Sequence, residues 1–103
     1  MAGTMPRSGK AYEIFVNEFH KHMGFIAEIL AKPELTPDEM GILSRLFHTI
    51  KGGSGFFGFE VVHKNSGLLE KLFKNEDLNY ATEKTEIASI FSELIEHSGE
   101  IRI

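Results

Sequence analysis

Apolar residues recur every three or four positions along most of the chain, and this helical spacing is the feature that most restricts the fold. No segment alternates apolar and polar residues for long enough to predict a strand. Because short connections make successive helices antiparallel neighbours, we predict an all-α fold, an antiparallel up-down-up-down four-helix bundle over residues 10–103. Residues 1–9 are predicted to be a flexible leader, and an expression vector can contribute part of such a segment. Met5 is then an alternative native start.

Local signals place the ends of the first two helices. The first is predicted over about residues 10–31, because Pro33 follows and proline disfavours helix in itself and in the preceding residue. The second is predicted to begin after Thr36, since Glu39 stands three residues later and completes a capping box. The glycine-rich residues 52–55 offer an end to this helix.

The third and fourth helices have weaker end signals. The third is predicted from about Phe59 to Lys74, followed by a polar loop. Thr82 is predicted to cap the fourth helix, which frays around residues 98–99.

Composition excludes several classes of protein. The chain of 103 residues has no cysteine, which rules out disulfides, thiolate zinc sites and thiol catalysis. Its net charge of −4 is opposite in sign to that of a typical nucleic-acid binder. No apolar run approaches the roughly 18 residues of a membrane span, and no secretory signal is apparent. We therefore expect a cytoplasmic monomer with protein partners, no nucleic-acid partner and no membrane contact.

The histidines are the residues most able to carry chemistry, and they are His20, His22, His48, His63 and His97. His20 and His22 are two residues apart and do not share a helix face. No spaced signature such as H-E-x-x-H occurs, so we predict no metal site and no cofactor.

His48 differs from the other histidines in its place on the second helix. At about 100° per residue it lies roughly 140° from the centre of the apolar stripe, on the solvent side. Ser44 and Gly52 leave it unshielded one turn before and one turn after, and Lys51 adds positive charge beside it. This pattern has two explanations: a reactive imidazole that a second protein approaches, or an ordinary surface histidine before a glycine helix end and a lysine at the negative helix terminus.

Residues 48–55, with the sequence His-Thr-Ile-Lys-Gly-Gly-Ser-Gly, resemble the H-x-I-K-G-[GAS]-[SA] signature of histidine phosphotransfer (HPt) domains. The continuation Phe-Phe-Gly-Phe over residues 56–59 is similar to the amino-terminal phosphotransfer domain of CheA-type chemotaxis histidine kinases. The resemblance is dense from about residue 43 to residue 72. Elsewhere it rests on the matching four-helix plan.

The resemblance implies that His48 is phosphorylated by a separate ATP-binding kinase domain and passes the phosphoryl group to an aspartate of a response-regulator receiver domain. Lys51 would stabilise the added charge, Gly52 would leave room for the partner, and Glu70 would hydrogen-bond the imidazole. Simple antiparallel counting places about Asn65 opposite His48 instead of Glu70. The CheA type commonly has a histidine where this chain has Gly67, which predicts a smaller hydrogen-bond network.

Two other functions remain as alternatives. One is a non-catalytic helical interaction module of a signalling protein, although such domains typically lack the histidine. The other, ranked last, is a metal or proton-transfer enzyme, for which the sequence offers no convergent ligands and no paired acid and base. Since the chain has no recognisable ATP-binding motif, we predict a phosphoryl carrier and not an enzyme in its own right.

Overall fold

The computed structural model describes residues 4–103 as four α-helices joined by short connections. Helix α1 spans Lys10–Leu30, α2 spans Pro37–Phe56, α3 spans Glu60–Lys74 and α4 spans Tyr80–Ser98. No strand occurs within residues 4–103. The predicted all-α four-helix bundle is confirmed. Residues 1–3 of the predicted leader lie outside the described residues.

The core is built from the inward faces of the helices and from the connection after α2. Phe47 of α2 is fully buried, stacks on Phe73 of α3 and meets Phe91 of α4 edge-on. Burying one such side chain contributes about 2–3 kcal/mol. A second aromatic cluster joins α1 to the connection and consists of Tyr12, Phe15, Phe57 and Phe59. Of the helix pairs, α2 and α3 pack most closely.

Helix α2 begins with the predicted capping box. The Glu39 N–H donates to Thr36 Oγ1 at 3.1 Å, and the Thr36 N–H donates to Glu39 Oε1 at 2.9 Å. Both bonds satisfy amides that lack partners at a helix start. The Lys32 ammonium contacts the same carboxylate, and its hydrogen bond, followed by that from Thr36, lowers the pKa of Glu39.

The other end of α2 differs from the expectation, because the helix continues through the glycines to Phe56. The glycines stay helical because they pack against neighbouring helices: a Cβ on Gly53 would lie 2.6 Å from the Phe15 ring, and one on Gly55 would lie 2.7 Å from His63 Nδ1. The chain turns instead at Gly58, whose φ of 80° is a conformation that favours glycine.

The predicted cap of α4 is wrong by three residues. Asn79 is the N-cap, and its side-chain oxygen accepts a hydrogen bond from the Thr82 N–H at 3.2 Å. Thr82 therefore occupies the N3 position inside the helix. Asparagine is at least as strong an N-cap as threonine, so the cap falls on Asn79 at the end of the polar loop.

A short segment before α1 binds the end of α2. The Met5 N–H donates to the Phe56 carbonyl at 2.9 Å, and the Arg7 guanidinium donates to the carbonyls of Phe57 and Gly58 at 2.9 and 2.8 Å. The guanidinium also lies 3.8 Å from the centroid of the Phe59 ring. A cation placed here complements the negative end of α2 and satisfies carbonyls that lack helical partners. The flexibility of the leader as a whole stays a prediction.

Replacing Arg7 by alanine is expected to lower the free energy of unfolding by about 1–2 kcal/mol, because two charge-assisted hydrogen bonds and a cation–π contact are lost. Urea unfolding followed by circular dichroism measures the free energy of unfolding of the wild type and the variant. Arg102→Ala is a matched control, because it removes the same charge from an exposed side chain near the other chain end. Equal unfolding midpoints for the two variants would show that the Arg7 contacts do not stabilise the fold.

Candidate functional site

His48 lies in the middle of α2 with 71% of its side chain exposed, on the solvent side as predicted. Side chains in a helix lean toward its N-terminus, so a side chain at position 52 would lie over the His48 ring. Apart from the adjacent residues and the backbone of α2 itself, a Cβ on Gly52 would lie within 4 Å of no heavy atom of residues 4–103. The imidazole is therefore open to a large partner on this side.

Glu70 of α3 contacts His48 from the neighbouring helix. His48 Nδ1 and Glu70 Oε2 are 2.9 Å apart, and 12% of the Glu70 side chain is exposed. An ionised carboxylate has no proton to donate, so the hydrogen bond requires the proton on Nδ1. In the neutral ring the lone pair is then on Nε2.

Lys51 approaches the same carboxylate. Its Nζ lies 3.8 Å from Glu70 Oε1, and 43% of its side chain is exposed. The Lys51 stem crosses α3 at Gly67, where a Cβ would lie 3.5 and 3.6 Å from its Cδ and Cε. The aliphatic part of the Lys51 side chain therefore packs on α3 at Gly67. This is the position at which we expected a smaller hydrogen-bond network.

Three contacts show how α2 and α3 are aligned. His48 faces Glu70, Lys51 faces Gly67, and Gly55 faces His63. The members of each pair are equidistant in sequence from Phe59, as expected for antiparallel helices that turn at that residue. We call these contacts the α2–α3 ladder.

The alignment predicted by counting, with Asn65 opposite His48, is wrong. Counting assumed that α2 ends near Ser54, whereas the helix continues to Phe56 and the turn is centred later. Asn65 is buried against α4 instead, where its amide donates to the Ile90 carbonyl and to Glu93 Oε1. The later turn brings Glu70 level with His48.

The length of α2 also determines the electrostatic field at His48. The negative end of a helix is confined to its last turn. Since α2 runs eight residues beyond His48, that end lies about 12 Å along the helix axis from it. The Arg7 guanidinium further offsets its charge. A doubly negative group on His48 therefore experiences little repulsion from the helix.

The sequence did not single out His63, which is part of the ladder. Its Nδ1–H donates to the Lys51 carbonyl at 2.8 Å, so the ring binds the backbone of a site residue. The sequence signal that could have revealed it is Gly55, one turn after Lys51 on the same helix face. The remaining histidines lie elsewhere: His20 contacts the Ile101 carbonyl, His22 lies near Glu18, and His97 lies near Glu100.

Residues 4–103 have neither a cluster of metal ligands nor a helix suited to a membrane. No group of three or more histidine, aspartate or glutamate side chains within this range is arranged to hold a metal ion. Among the helices that these residues form, none has both the length and the hydropathy of a membrane span.

A four-helix bundle that presents an exposed, oriented imidazole, with an ammonium group and a position without a side chain one turn after it, has the arrangement of a histidine-based transfer domain. The family model described as Hpt domain matches residues 10–98, which is most of the chain. The chain therefore belongs to the Hpt family. Domains of this family take part in histidine phosphotransfer within phosphorelays, where they interact with histidine kinases and response regulators. No curated protein and no solved structure gives a significant match.

Proposed function

We propose that His48 accepts a phosphoryl group from ATP held by the ATP-binding domain of a histidine kinase and passes it to an aspartate of a response-regulator receiver domain. The observation that carries this proposal is the exposed His48 ring, whose Nδ1–H is held by Glu70 so that Nε2 has the lone pair. The match to the Hpt family supports the same role. The finer likeness to the CheA type stays a prediction from the sequence.

In the loading step the Nε2 lone pair attacks the γ-phosphorus of ATP. The Nε2–P bond forms as the bond from phosphorus to the bridging oxygen breaks, and ADP leaves with that electron pair. The ring keeps its Nδ1 proton and becomes positive, and the Glu70 carboxylate balances this charge across the 2.9 Å hydrogen bond. Because Glu70 is mostly shielded from water, its charge is screened less than that of an exposed carboxylate.

Lys51 stabilises the phosphorylated form in this proposal. A phosphoryl group brings a charge of nearly −2, and the Lys51 ammonium lies on the same side of the site as the Glu70 carboxylate. Its flexible end can turn from Glu70 Oε1 to the phosphoryl oxygens. Lys51 therefore balances the charge of Glu70 in the unphosphorylated form and that of the phosphoryl group in the phosphorylated form.

In the unloading step a receiver aspartate oxygen attacks the phosphorus, the Nε2–P bond breaks, and its electron pair returns to Nε2. The neutral imidazole with its Nδ1 proton is thereby regenerated. The receiver aspartate must reach the phosphorus on the side opposite Nε2, and Gly52 gives the space for that approach. Since the phosphoryl group originates from ATP, we place the relay in the cytoplasm, with the domain acting as a monomer and binding no nucleic acid.

The test is incubation with radiolabelled ATP, with and without the cognate kinase, followed by addition of the receiver domain. We expect label on this chain with the kinase present, lost in acid and retained in alkali, and mapped to His48 by mass spectrometry. ATP without the kinase should give no label on this chain, and the receiver domain should remove label that the kinase has added. An unlabelled chain would overturn the proposal in favour of an interaction module, and label on another residue would overturn the assignment of His48.

A further inference from the structure

His63 binds the backbone of α2 beside the site. Its Nδ1–H donates to the Lys51 carbonyl at 2.8 Å, although the ring is exposed and belongs to the next helix. This carbonyl also accepts from the Ser54 hydroxyl at 3.2 Å. A side chain that bonds to the middle of another helix needs an unusually close approach, because side chains normally cover the helix backbone.

Gly55 makes this approach possible. A Cβ at position 55 would lie 2.7 Å from His63 Nδ1 and 2.9 Å from its Cε1, which is closer than non-bonded atoms approach. The imidazole therefore occupies the volume that any side chain at position 55 would fill. Gly55 and His63 form one contact, and substitution of either residue removes it.

The His63 contact is the part of the ladder nearest the turn at Phe59. The two pairs farther from the turn contain His48, Lys51 and Glu70. A slip of α3 by one residue moves each of its side chains by about 1.5 Å along the axis. A slip of that size breaks the 2.9 Å bond from His48 to Glu70, so the bond depends on contacts that fix the alignment.

We propose that His63 is a positioning residue for the phosphorylation site. Through the Lys51 carbonyl it fixes α2 against α3, so that Glu70 holds the Nδ1 proton of His48 and the Lys51 ammonium stays within reach of the phosphoryl group. This inference rests on the proposed function for its effect on phosphoryl transfer. Its effect on the His48 ring is independent of any phosphorylation.

The experiment compares three variants with the wild-type chain. His63→Leu removes the donor, and Gly55→Ala fills the space of the ring. His63→Asn is the conservative change, because its amide nitrogen stands where Nδ1 stands and can donate to the same carbonyl. His97→Leu is the matched control, since the Nδ1 of His97 also contacts an oxygen, that of Glu100, but His97 lies on α4.

The first measurement is the nitrogen NMR spectrum of the unphosphorylated His48 ring, which reports which nitrogen carries the proton. We expect the Nδ1–H form in the wild type, in His63→Asn and in His97→Leu. In His63→Leu and Gly55→Ala the population should shift toward the Nε2–H form, which a free imidazole prefers. Unchanged spectra in both of these variants would overturn the positioning role, even if their stability falls.

The second measurement is the lifetime of phosphohistidine after loading from phosphoramidate, a small donor that needs no kinase. We expect lifetimes about three- to tenfold shorter in His63→Leu and Gly55→Ala, with recovery in His63→Asn. In a Lys51→Met background the backbone carbonyl remains but the ammonium is gone, so the His63 change should shorten the lifetime less than in the wild type, by the part that acts through Glu70 alone. A full His63 effect in that background would contradict the role assigned through Lys51. If no chain is loaded, the wild type included, the proposed function fails and the NMR spectra alone decide the positioning role.

Discussion

Replacing His48 by glutamine is expected to reduce kinase-dependent labelling by about 10³-fold or more, because a carboxamide nitrogen has no available lone pair and cannot act as a nucleophile. The histidine is exposed, so the substitution removes little packing and should leave the fold intact. Labelling by kinase and ATP, with circular dichroism as the check on folding, measures both expectations.

The matched control for this prediction is His97→Gln. His97 has 35% of its side chain exposed and its Nδ1 lies 3.2 Å from Glu100 Oε2, so it also pairs with a glutamate. This variant should be labelled like the wild type. Label that survives in a folded His48→Gln protein would mean that another group receives the phosphoryl group, and the assignment of His48 would be wrong.

Gly52 and Gly53 are adjacent glycines for which we predict opposite effects on stability. Gly52→Ala should raise the free energy of unfolding by about 0.5–1 kcal/mol, because alanine is the better helix former and the site is open. Gly53→Ala should lower it by about 1–3 kcal/mol, because the added Cβ would fall 2.6 Å from the Phe15 ring. That ring cannot move freely, since it packs against Phe57 and Phe59. Urea unfolding of the two variants tests the sign of each change.

Variants of Gly52 also separate the effect of this residue on folding from its effect on the approach of a partner. Gly52→Gln should keep the stability of the fold yet slow transfer to the receiver by about tenfold or more, because its side chain leans over His48. The rate of loading from phosphoramidate, a much smaller reactant, should fall less than the rate of transfer to the receiver. Equal transfer rates for Gly52→Gln and the wild type would remove the steric role of Gly52. A destabilised Gly52→Ala would show that this glycine is needed for the fold.

The helices could be predicted from the sequence because each depends on local information. Apolar spacing gives a helix and its buried face, and the Thr36 and Glu39 pair marks a start without knowledge of any other helix. The exposure of His48 follows from the same spacing, since its angle to the apolar stripe is fixed by the helix repeat. These features involve few contacts distant in sequence.

The contact between His48 and Glu70 could not be derived in this way. It depends on where α2 ends, and that end is determined by the packing of Gly53 on Phe15 and of Gly55 on His63. A small error in the position of the turn is doubled in an antiparallel alignment, which is how Asn65 came to be placed opposite His48. The family resemblance suggested Glu70 because CheA-type domains have a glutamate at that place on the third helix. For His63 the one sequence signal is Gly55, which indicates a close approach to α2 but does not say which residue makes it.

In the proposed relay, the exposure of the His48 ring also limits the lifetime of the phosphorylated state. With 71% of the His48 side chain exposed, residues 4–103 would give a phosphoryl group on the ring little shelter from water. Hydrolysis therefore competes with delivery from the moment of loading. Under the proposed function, a signal relayed through His48 would fade by itself unless an acceptor is met in time, and the abundance of the acceptor would determine how faithfully a brief stimulus is transmitted.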